Sequence, residues 1–113
     1  MKQVRVSTGS DGESHLEELA LDFAEREGTR TAPRPASSIA FAERPERSFI
    51  DFHNAPRRQY VLYLTASIEI GIGDGTTLVM EPGDVLLAED VDGRGHTSRV
   101  VTGGICAFVP VGV

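Results

Sequence analysis

The stretch from Phe52 to His96, FHNAPRRQYVLYLTASIEIGIGDGTTLVMEPGDVLLAEDVDGRGH, decides the fold of this 113-residue chain. Between its two terminal histidine regions, short runs alternate apolar and polar residues with the period of two that half-buried strands need. Gln59 to Thr65 reads QYVLYLT and Ser67 to Ile72 reads SIEIGI, both rich in β-branched and aromatic residues. Gly73-Asp74-Gly75 is a hairpin signal that leads into TTLVM, and Pro82-Gly83-Asp84 turns the chain into Val85-Leu86-Leu87. His53 stands at a bend made by Asn54-Ala55-Pro56, and His96 follows the polar loop Glu89 to Gly95. A β-structure that brings the ends of this stretch together brings the two imidazoles together.

Working outward, Lys2 to Val6 alternates as a short opening edge strand, stopped by the turn-forming TGSDG. Ser14 to Glu27 carries two patterns. Ser14 with Glu17 makes a capping box, and Leu16, Leu19, Ala20 and Phe23 fall at helical spacing, whereas Leu19, Leu21 and Phe23 alternate as in a strand. GTRTAPRPA, residues 28–36, is a loop. Ser38 to Ala42 and Ser48 to Phe52 are short strands, and Ser98 to Thr102 and Ile105 to Val109 close the chain. Eight or nine short strands at this spacing predict an antiparallel sandwich or barrel within one domain, residues 1–113.

Composition narrows the function. Eleven Lys and Arg against 17 Asp and Glu give a net charge of −6, which repels phosphate backbones and anionic membrane surfaces, so neither nucleic acid nor membrane is an expected partner. The N-terminus MKQVRVSTGSDG lacks an apolar signal-peptide core, and the cytoplasm is the expected compartment. The single cysteine, Cys106, lies in the apolar run GGICAFVPV without a basic sequence neighbour, which reads as a buried, inert thiol.

His53 followed by a β-rich run to Gly75, and then Pro82-Gly83-Asp84 and His96, resembles the cupin superfamily over roughly residues 48–109. That resemblance implies a double-stranded β-helix, or jelly-roll barrel, with a core of about residues 38–109 and an N-terminal extension of residues 1–37. On the same comparison Ser14 to Glu27 is extended. The family's first motif has a His-x-His pair followed by a Glu; here His53 takes the first place, Ala55 stands at the second, and Gln59 replaces the carboxylate.

The implied site is therefore His53, Gln59 and His96, which would hold a divalent metal (Zn, Mn, Fe or Ni) with fewer ligands than the family's usual set. Without a metal, the same residues form a buried polar cluster. His53, His96 and Tyr63 are the candidate catalytic residues, and Arg57 with Gln59 the candidate substrate-binding pair. Arg57 shares sequence parity with both His53 and Gln59 and would reach the cavity mouth to take a carboxylate. Arg58 reads as a solvated turn residue, and His15 as a surface histidine outside both motifs.

One carboxylate of the loop holding Glu89, Asp90 and Asp92 could orient His96 from behind. Two histidines suit an isomerase, cyclase or lyase working on a small organic molecule by metal-assisted or histidine-mediated proton transfer. A small-molecule-binding or sensory protein without catalysis fits the same residues. Open strand edges lead to the expectation of a homodimer.

Overall fold

The computed structural model describes residues 1–112, and they form ten strands in two sheets with no α-helix. In chain order the strands are β1 (Gln3–Thr8), β2 (Ser14–Leu19), β3 (Ala40–Arg44), β4 (Phe49–His53), β5 (Gln59–Tyr63), β6 (Ser67–Gly71), β7 (Thr77–Met80), β8 (Val85–Ala88), β9 (His96–Thr102) and β10 (Gly104–Pro110). Six of them make one sheet in the order β2-β1-β8-β5-β10-β3. The other four make a second sheet in the order β4-β9-β6-β7.

One apolar cluster joins the sheets. Val4, Val61, Leu86 and Cys106 come from the larger sheet, and Ile68, Ile70, Met80 and Val100 from the smaller. In SIEIGI, Ile68, Ile70 and Ile72 are all buried while Glu69 is half-exposed, and Ser67 and Gly71 on the other face are covered as well. In β5 the buried positions are Gln59, Val61 and Tyr63, so one face of a short strand brings an amide and a phenol into the interior beside the valine.

The opening strand differs from its expected place. It lies inside the six-stranded sheet, antiparallel to β2 and parallel to β8, and β1–β8 is a parallel pair in an otherwise antiparallel fold. Val4 and Val6 are fully buried, which makes this strand part of the core. The stitch is Asp84 of the Pro-Gly-Asp turn, whose carboxylate accepts from the Lys2 backbone N–H at 2.8 Å and from Lys2 Nζ at 2.6 Å. A strand pairing with a partner some eighty residues away leaves no trace in local periodicity.

Ser14 to Leu19 is the strand β2, and no helix starts at Ser14. The Ser14 hydroxyl, which a capping box would aim at its own helix, donates instead to Asp90 Oδ2 at 2.8 Å. Beyond Leu19 the chain is exposed coil with one short 3-10 turn, Arg26–Gly28. No helix among the described residues is long and apolar enough to cross a membrane.

Candidate functional site

His53 ends β4 and His96 begins β9, and the two residues are direct cross-strand partners. Their ring centroids are 4.5 Å apart with planes tilted by 56°. The pairing depends on Gly95. Its φ of +83° is unfavourable for other residues, and a Cβ there would stand 2.1 Å from the His53 carbonyl oxygen, so only glycine lets the loop pass close enough to set His96 against His53. Asn54 Nδ2 holds the same loop by donating to the carbonyls of Asp92 and Gly93 at 2.9 and 3.0 Å.

Each imidazole is oriented through Nδ1. His53 Nδ1 lies 2.8 Å from the Asp51 carbonyl oxygen, which can only accept, so the neutral ring carries its proton there and presents a bare Nε2. His96 Nδ1 lies 2.6 Å from Asp90 Oδ2. Asp90 is fully buried, and the same Oδ2 takes the Ser14 hydroxyl. Of the three acidic residues in the loop before His96, Asp90 is the one turned inward. Glu89 faces Arg5 and Arg34 instead, at 3.9 and 3.8 Å, and Asp92 is exposed.

Both histidines open on a cavity of about 380 Å³ between the sheets. Space exists there because Ala40, Ala55 and Ala88 carry only a methyl where larger side chains would fill it. Gln59 and Tyr63 line the same cavity, so His53, Gln59, Tyr63 and His96 share one chamber. The sequence-parity argument for His53 and Gln59 does not describe how this happens. The two residues stand on strands of different sheets, separated by a turn, and they meet because the sheets enclose the cavity from opposite sides.

Arg57 lies in that turn, exposed at the cavity mouth, where strand parity has no meaning. Arg44, at the end of β3, also lines the chamber and was not singled out in the sequence. Its signal was the inward run Ala40-x-Ala42-x-Arg44, in which two small residues precede a cation on one strand face. Ser14 was likewise missed as a partner of Asp90, because its link to residue 90 is entirely tertiary.

Burial lowers the His53 pKa from its ordinary value of 6.5, and the nearby His96 and Arg44 add to this. The bond to the Asp51 carbonyl and the Asp90 charge oppose it without overturning it. Burial pushes the Tyr63 phenol far up, beyond the range where it would ionise, so it can act only as a neutral hydroxyl. Cys106 is fully buried at the cavity wall, and burial raises its thiol pKa, which keeps it protonated. His15 is exposed beside Asp11, at 3.1 Å, and far from the chamber's lining.

As a metal site, the donors facing the cavity are two imidazoles and the neutral amide of Gln59. No group of three or more His, Cys, Asp and Glu side chains among the described residues could hold an ion. A carboxylate close by, Asp90, commits Oδ2 to His96 and Ser14, its Oδ1 is buried without a partner among the described residues, and it does not line the cavity, whereas the guanidinium of Arg44 does. This donor set does not fit a tightly held divalent ion, which takes three or four anionic or imidazole ligands. No family model matches the chain, and no curated protein matches it.

Proposed function

We propose that the chain is a small enzyme of the cupin type, a jelly-roll barrel that moves a proton on a small organic molecule with its two histidines. The observation that carries this reading is the Asp90–His96–His53 arrangement, in which both rings are fixed through Nδ1 and both line one cavity. An imidazole held by a buried carboxylate on one nitrogen is oriented for acid–base work on the other. The neutral ring of His53, with its lowered pKa, supplies the base.

In this mechanism His53 Nε2 takes a proton from a carbon or hydroxyl of the bound molecule, a His96 ring protonated on both nitrogens gives its Nε2 proton to a second position, and exchange with water resets both rings. The net change is a proton shift, as in an isomerisation, or the loss of a leaving group that accepts the returned proton. Asp90 does not touch the bound molecule; it fixes the tautomer and orientation of His96, and Ser14 in turn holds Asp90. Tyr63 and Gln59 contribute neutral hydrogen bonds to developing charge on oxygen. No step here draws on a metal.

The test is hydrogen exchange. The protein is incubated in D₂O with ketones, esters and oxo acids, and the loss of C–H signals is followed by NMR. Catalysed exchange that disappears in both His53→Ala and His96→Ala supports the proposal. Binding seen as shifts of the histidine resonances, without exchange of any compound, would instead favour a non-catalytic binding protein, which the apolar lining also suits.

A further inference from the structure

Arg44 is a charged side chain of the chamber whose bonding is incomplete. Its Nη1 donates to Ser98 Oγ at 3.2 Å, while Nη2 is shielded from solvent and has no hydrogen-bond partner among the described residues. No carboxylate among the described residues forms an ion pair with it. A guanidinium nitrogen withdrawn from water is costly to leave unbonded, because its desolvation is not offset by a partner. A guanidinium with an unbonded N–H is a charge-assisted donor for a carboxylate.

We infer that Arg44 binds the carboxylate of a small monocarboxylic acid whose apolar body fills the chamber, presenting its reactive carbon to His53 and His96. The inference rests on the acid–base reading for what then happens to the molecule. The rest of the wall supports the substrate class: Ile50, Val61, Ile68, Leu86 and Phe108 line the cavity with hydrocarbon. The volume of about 380 Å³ admits a small molecule rather than a polymer segment. Of the two guanidinium groups in the lining, Arg57 is exposed at the mouth and Arg44 is half-buried in the wall, which matches one negative charge inside. A phosphate dianion would leave a second charge uncompensated in a chamber that also has Asp90 behind its wall.

The probe is alkylation of the native chain by iodoacetate and by iodoacetamide, with the modified residue found by peptide mapping. The two reagents differ in carrying a carboxylate or a neutral amide, and both transfer a two-carbon group to an imidazole nitrogen with loss of iodide. The expected result is that iodoacetate modifies His53 or His96 about tenfold faster than iodoacetamide, the factor a charge-assisted bond supplies. Arg44→Gln should remove the preference, and Arg58→Gln should keep it. For a readout without any variant, isobutyrate should protect the histidines from iodoacetamide, and isobutyramide should not.

Equal rates for the two reagents, or a preference that survives Arg44→Gln, would overturn the carboxylate site while leaving the histidine chemistry standing. Protection by inorganic phosphate at lower concentration than isobutyrate would overturn it in favour of a phosphate ligand. Failure of both reagents to reach either histidine would overturn the acid–base reading itself, and this inference with it.

Discussion

His53 and His96 are cross-strand partners that turn their Nδ1 atoms away from each other, one toward the Asp51 carbonyl at 2.8 Å and the other toward the Asp90 carboxylate at 2.6 Å. The consequence is a pair of Nε2 atoms on one cavity wall, each ring locked by a different kind of acceptor. A backbone carbonyl cannot change its charge, whereas a carboxylate can be altered by substitution, so the two histidines can be perturbed separately.

Asp90→Asn keeps the size of the side chain but can present an N–H to His96 Nδ1 and so favour the wrong tautomer. Exchange or alkylation at His96 should fall on the order of a hundredfold or more, with a loss of stability of about 1–3 kcal/mol. Reaction rate and thermal melting of the same variant check this together. A rate equal to that of the parent chain would remove Asp90 from the mechanism.

His53 sets a pH dependence. Its pKa in the folded chain lies below 6.5, so below that pH the unfolded chain binds more protons than the folded one. The stability it contributes is complete above about 6.5 and is lost as pH falls through that value toward the lower folded pKa. Urea midpoints measured from pH 8 to pH 5 should therefore fall more steeply for the parent chain than for His53→Asn. Parallel slopes would show that His53 is not held neutral by its surroundings.

Asp84 gives the same sign at lower pH. Burial pushes its carboxyl up, but the bonds from the Lys2 side chain, the Lys2 N–H and the Glu81 N–H outweigh this and hold its pKa below the ordinary 3.8. Its contribution is present above about 3.8 and is lost as pH falls through the lower folded value. Asp84→Asn should cost about 1–3 kcal/mol at neutral pH and much less at pH 2, measured by chemical denaturation. An equal cost at both pH values would mean that the charge is not what ties β1 to the turn.

Ala55 lines the cavity beside the histidine pair and is 4% exposed. If it occupies the place of the second histidine in the cupin motif, Ala55→His supplies a third imidazole, and affinity for Zn²⁺ or Ni²⁺ should rise tenfold or more by titration calorimetry. Unchanged affinity in a folded variant would break the correspondence between this bend and the cupin motif.

Association of two copies remains our expectation from the edges of the sheets. β3 and β4 are edge strands, and they expose Phe41 at 66% and Phe49 at 45%. Light scattering at micromolar concentration should give the mass of a dimer, and Phe41→Glu should shift it toward the monomer. A monomeric mass for the parent chain would refute this.

The sequence by itself determined the elements. Alternation in QYVLYLT and SIEIGI, the glycine and proline turns between them, and the absence of any long helical repeat gave an all-β chain, and in Gln59–Tyr63 burial follows that period residue by residue. That His53, Gln59, Tyr63 and His96 line one cavity was expected from the resemblance and not from strand parity, because His53 and Gln59 stand on different sheets. Tertiary structure alone decided the partners: Ser14 for Asp90, Asp90 for His96, Lys2 for Asp84, and Arg44 for the chamber. The reason is range. Periodicity and turn chemistry act over a few residues, while these contacts join positions 6 to 82 residues apart, and only the stacking of two sheets brings them within reach.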